Sequence, residues 1–174
     1  CLAVSTIPVF CTGLLLKEFI KASFIPSLVI IMFMITGLIV GTTFFTKKHV
    51  MKKITISSAV FIGIAQAFAL IPGISRSGVT ISIALLIGIE HREAAKFTFF
   101  MAIPTLLGVG ILQVIEIQNM QGIHIFPLIL GLISATLSGY IVIGWLLDVI
   151  SRGKFYLFSL YCFTIAIIAY NFLY

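Results

Sequence analysis

Charge is what this sequence has least of. Only 9% of its 174 residues are Asp, Glu, Lys or Arg, against about 25% in ordinary soluble domains. The acids number five, Glu18, Glu90, Glu93, Glu116 and Asp148, and eleven Lys and Arg outweigh them to give +6. An excess so thinly spread excludes a nucleic-acid patch. Cysteine is equally scarce: Cys1, Cys11 and Cys162 have no metal-type spacing, which excludes a disulfide framework or a zinc site, and they read as small core residues. Low-complexity tracts and polar stretches long enough for a soluble domain are absent as well. What is present is apolar: 61% of the chain is hydrophobic and mean hydropathy is +1.26. Several apolar runs approach the ~20 residues that cross a bilayer as a helix. They are continuous rather than alternating, which argues against a β-barrel. The composition predicts an all-α, polytopic membrane protein.

Polar punctuation places the apolar runs at Cys1–Leu16, Ile25–Phe45, Ala59–Ile71, Val79–Ile89, Phe97–Ile115, Ile123–Leu147 and Phe155–Tyr174. Two are too short to cross. Ala59–Ile71 has thirteen residues and Val79–Ile89 has eleven, reaching about 20 and 17 Å as helices against an apolar layer of about 30 Å. Pro72, Gly73 and Gly78 lie between them and oppose one continuous helix. A re-entrant hairpin of two half-helices satisfies both lengths. The predicted organisation is one membrane domain over 1–174, with two transmembrane helices in 1–53, the re-entrant hairpin in 54–96 and three transmembrane helices in 97–174. The first residue is Cys rather than Met, and the short first run reads as the inside of a helix that begins earlier.

Basic residues test the hairpin independently. If it returns to the side it entered from, Lys47, Lys48, Lys52, Lys53, Arg92, Lys96, Arg152 and Lys154 share one side and only Lys17 and Lys21 the other. A single crossing would divide them four against six. The positive-inside bias favours the hairpin, entering from the cytoplasm, with Tyr174 outside. His49 and His124 then lie near the interfaces, and Glu90 to Glu93 at a cytoplasmic helix end, where a solvated cap is the simplest role.

One basic residue is left over. Arg76 falls inside the membrane by this count, where a cation is costly and is by default a functional-site candidate. Pro72 to Thr80 reads PGISRSGVT, placing Ser75, Ser77 and Thr80 around Arg76 where the second half-helix begins. A helix N-terminus offers unpaired N–H groups and the positive end of its dipole, while Gly73 and Gly78 permit tight turning and close approach. A guanidinium, hydroxyls and amides converging on one point make a phosphate receptor. Gln66, one and a half turns before Pro72, either braces the hairpin or makes an ordinary interhelical hydrogen bond.

These residues resemble a known family. Gly63, Gln66 and Pro72-Gly73-Ile74-Ser75-Arg76-Ser77-Gly78-Val79-Thr80, followed by Arg92-Glu93-Ala94-Ala95-Lys96-Phe97 and Ala102-Ile103-Pro104, are similar to the bacterial undecaprenyl-diphosphatase, or bacitracin-resistance, family along the whole chain. The resemblance implies a phosphatase of the bacterial plasma membrane that converts undecaprenyl diphosphate to undecaprenyl phosphate, recycling the lipid carrier for peptidoglycan. It implies two inverted repeats, of which this chain is the second, with Arg76, Ser75 and Ser77 catalytic, Thr80 and Gly78 also binding diphosphate, and Gln66, Pro72 and Gly73 in support. A divalent cation, Mg or Ca, is implied too, with its ligands on a hairpin preceding residue 1, so that the 174 residues alone are expected to be inactive. The implied partners are the polyprenyl diphosphate and membrane lipids, with no nucleic acid; a homo-oligomer is compatible. A transporter or flippase of an anionic lipid is the alternative, since broken helices with a midplane cation serve that purpose also. A purely structural subunit would leave Arg76 unexplained.

Overall fold

The computed structural model describes residues 1–46, 53–117 and 125–173, and among these it contains eight α-helices and no β-strand. They are α1 (Leu2–Leu15), α2 (Lys17–Ala22), α3 (Pro26–Gly41, continued by a 3-10 turn over Thr42–Phe45), α4 (Ile56–Phe68), α5 (Arg76–Leu86), α6 (His91–Ile117), α7 (Ile125–Ser151) and α8 (Leu157–Leu173). Lys47, Lys48, His49, Lys52, His124 and Tyr174, for which interfacial, cytoplasmic or outside positions are expected, lie outside the described residues.

Local chemistry sets the helix ends. Pro26 opens α3 at the position where its missing N–H costs nothing. Thr55 and Ser58 form a reciprocal capping box at the start of α4. Beyond α5, the N–H groups of Gly88 and Ile89 return to the carbonyls of Leu85 and Ala84 at 3.0 Å each and close the helix. Glu90 to Glu93, expected as a solvated cap at a helix end, starts α6: the Glu90 carboxylate accepts the N–H groups of Arg92 and Glu93 at 3.1 Å each. An acid over the first-turn amides suits the helix dipole, and two alanines after it raise helix propensity.

The expected break between two short helices is present. α4 and α5 are separated by Ala69–Ser75, and residues from the start of α4 (Thr55, Ser57, Ser58) line one cavity with Ile87 and Ile89 from the end of α5. The chain therefore doubles back between them. Around this pair sits the core: Ala59 and Ile62 of α4, Ile81 and Ala84 of α5, and Ala95 and Met101 of α6 are all fully buried. α1 packs along α4 and α3 along α8.

Among the described residues, three helices are long and apolar enough to cross a membrane: Pro26–Phe45, His91–Ile111 and Phe126–Ser151. The outer two of the five expected spans, Leu2–Leu15 and Leu157–Leu173, are shorter. The cysteine reading also needs correction. Cys162 is buried, but Cys1 and Cys11 are exposed, and all three are free; their apolar neighbours mark a lipid-compatible surface as readily as a core.

Candidate functional site

Ser75 is the N-cap of α5, and its Oγ accepts the Gly78 N–H at 3.2 Å. Its own N–H donates to Thr36 Oγ1 at 3.1 Å, while that hydroxyl lies 3.3 Å from the Gly73 carbonyl and 2.9 Å from Met32 O in its own helix. One fully buried threonine of α3 thus clamps both sides of the turn. Gly73 has φ +93°, and a Cβ there would meet Val29 O at 2.5 Å, so both conformation and space require glycine. At Gly78 a Cβ would stand 2.9 Å from Ser75 Oγ, crowding the cap.

Arg76 turns the other way. Its Nε and Nη2 donate to Gln66 Oε1 at 3.1 and 2.7 Å, and Nη2 also reaches the Met101 carbonyl at 3.2 Å. Both acceptors are neutral. Gln66 is 1% exposed, and its Nε2 donates to Thr105 Oγ1 at 3.1 Å. Thr36 is the eleventh of twenty residues in Pro26–Phe45, and Met101 the eleventh of twenty-one in His91–Ile111. The turn is therefore fastened to the midpoints of two candidate spans.

Not every expected residue meets at one point. Ser75, Ser77 and Gly78 line a cavity of about 400 Å³ with Phe33, Phe158 and Cys162. Arg76 is absent from that lining, and Thr80 is fully buried, donating its hydroxyl to the Arg76 carbonyl at 2.7 Å. In this conformation Thr80 therefore braces the first turn of α5. Gln66 is more central than its sequence position suggested, because it holds the guanidinium directly. Thr36 and Thr105 were missed. A polar residue within an apolar helix is the only signal they carry, and many threonines here share it.

Among the described residues, no three His, Cys, Asp or Glu side chains come together as a metal site. The described residues thus offer no such site to the Mg or Ca that the resemblance implies.

The chain matches the family described as bacitracin resistance protein BacA over residues 1–168. A relative from Carboxydothermus hydrogenoformans named undecaprenyl-diphosphatase is 37% identical over 93% of this chain and 65% of its own length. One of the same name from Methanobrevibacter smithii is 31% identical over 96% of this chain and 62% of its own length. Against these two, the chain spans less than two thirds of the relative. A third of that name, from Methanothermobacter thermautotrophicus, is 33% identical over 94% of both chains.

Proposed function

This chain belongs to the bacitracin resistance protein BacA family, and on that premise we propose that it binds the diphosphate of undecaprenyl diphosphate in a membrane phosphatase that releases undecaprenyl phosphate and inorganic phosphate. The observation that carries the reading is Arg76: a guanidinium at the middle of two candidate spans whose described partners are all neutral oxygens. A cation kept at that depth without a carboxylate is best accounted for by an anionic ligand.

In the reaction, a water oxygen forms a bond to the terminal phosphorus while the anhydride bond breaks. The bridging oxygen leaves on undecaprenyl phosphate, and the water's protons pass to solvent or to the products. Arg76 offsets charge on the transferring phosphoryl group. Ser75 and Ser77, at the N-terminus of α5, supply hydroxyls beside its amides. Gly78 and Gly73 allow the diphosphate to approach the backbone, and Pro72 helps to end the first arm. Thr80 serves the same anion from the first turn, either through its own hydroxyl after a rotamer change or by holding that turn in shape. The apolar helices accommodate the isoprenoid.

Three finer points belong to this proposal. The α4–α5 pair re-enters the membrane from the cytoplasmic side, supported by its short arms and by the basic residues at its base, and Tyr174 lies outside. The chain is one of two inverted repeats. A divalent cation, Mg or Ca, would take its ligands from residues other than those described, since these bring no such donor set together.

Phosphate release from undecaprenyl diphosphate in detergent, where there are no two sides, tests the reading. The whole protein is expected to release phosphate, and Arg76→Ala to lose roughly 100-fold or more in rate while remaining folded. Near-normal rates in Arg76→Ala would remove it from the mechanism. Vectorial lipid movement without hydrolysis would point to a transporter instead.

A further inference from the structure

Arg76, Gln66, Thr105 and the Met101 carbonyl form a closed ring of hydrogen bonds, and its polarity is dictated by donor chemistry. Arginine has donors only, so the Gln66 atom facing it must be the amide oxygen, which takes Nε–H at 3.1 Å and Nη2–H at 2.7 Å. That turns the Gln66 amide nitrogen to the opposite side, where it must find an acceptor. Thr105 Oγ1 accepts it at 3.1 Å, and does so with a free lone pair because its own hydrogen goes to Met101 O at 3.2 Å. The same carbonyl receives Arg76 Nη2. Gln66 and Thr105 are 1% and 8% exposed, so a reversed amide would have no water to repair it.

With Nε and Nη2 committed, the Nη1 edge is the part of the guanidinium left to meet an anion. We propose that Thr105, acting through Gln66, is a positioning residue that fixes the plane of the Arg76 guanidinium and presents its Nη1 edge to the diphosphate. The identity of the anion rests on the diphosphatase reading; the ring itself does not. A neutral amide is the suitable holder. It orients the guanidinium without cancelling its charge, whereas a carboxylate at position 66 would pair with Arg76 and spend that charge internally.

Arginine-selective 15N labelling of the whole protein isolates the arginine Nε–H signals, to which this chain contributes three, from Arg76, Arg92 and Arg152. The Arg76 Nε–H signal, assigned by its loss in Arg76→Lys, is expected to exchange slowly with water in the wild-type protein. It should shift and exchange faster in Thr105→Val and return in Thr105→Ser, which keeps the hydroxyl. In the whole protein, Thr105→Val should lower kcat/KM for undecaprenyl diphosphate about tenfold, the equivalent of one neutral hydrogen bond. Thr105→Ser should stay within about twofold. Gln66→Glu should lower kcat/KM at least as far without lowering the thermal midpoint, and it decides the matter if Thr105→Val fails to fold. An unchanged Arg76 signal in Thr105→Val, or wild-type rates in Gln66→Glu, would overturn the positioning role. Absence of phosphate release from the wild-type protein would instead sink the diphosphatase reading, while the spectra still decide the ring.

Discussion

Arg76 donates to oxygens on two different helices, and both holders, the Gln66 amide through its nitrogen and the Met101 carbonyl, are tied in turn to the Thr105 hydroxyl, so single residues around it carry unequal weight. Gly73 carries much of the turn. Alanine there would need both a left-handed backbone and space already taken by Val29 O at 2.5 Å. Gly73→Ala is expected to cost about 1–3 kcal/mol and to lower phosphate release, read from a thermal melt and a rate on the same sample. Thr98 is the opposite case. Its Oγ1 is buried without a hydrogen-bond partner among the described residues, so the hydroxyl contributes desolvation cost and no bond. Thr98→Val should leave the thermal midpoint unchanged or raise it, with no change in rate; a marked loss would show that the hydroxyl is paired in the membrane. The sequence marked Arg76, Ser75 and Ser77 because a charge and a cap signal stand out in an apolar stretch. It did not mark Thr36 or Thr105, since nothing local separates a threonine that clamps another helix from one that bonds its own preceding turn.

At the scale of elements, the short helices are placed by close packing of small residues. Gly63 of α4 lies against the backbone of Ser5 in α1, where an added Cβ would stand 2.5 Å from Ser5 O and 2.9 Å from Ser5 Cα. Backbone cannot swing aside as a side chain can. Gly63→Ala is therefore expected to part α1 from α4 and destabilise by about 1–3 kcal/mol, whereas Gly110→Ala, with nothing within 4 Å, should be neutral or stabilise by up to about 1 kcal/mol through helix propensity. Paired thermal melts separate the two. Ala94 and Ala95, part of the stretch quoted for the family resemblance, are fully buried in α6 beside α5, so the small residues of that stretch serve packing. Helix ends were only partly legible. The break at Pro72 and Gly73 was plain in the sequence, but α6 begins six residues before the apolar run that suggested it, because a capping carboxylate and helix-forming alanines extend a helix beyond its apolar stretch.

For the molecule as a whole, the question is what the exposed apolar surface faces. In α7 the span Phe126–Ser151 buries none of its most apolar stretch against the rest of the described chain, and Leu137, near its middle, is 63% exposed. On a water-facing surface Leu137→Arg would be almost neutral. Within a bilayer a charge at the centre of a helix costs about 2.5–3.5 kcal/mol, so Leu137→Arg should reduce membrane insertion and yield although the side chain it replaces is exposed. Unchanged insertion would argue against α7 as a span. Membrane residence, the two short helices and the isolated Arg76 were determined by sequence alone, because hydropathy, helix length and the cost of a buried charge are properties of local composition. Tertiary structure decided which neutral oxygens hold the guanidinium, that Ser75 and Arg76 face different neighbours, and that Thr80 is turned inward. The first two outcomes depend on contacts between residues 10 to 39 positions apart, and many equivalent hydroxyls along the chain compete for such contacts until packing selects a few.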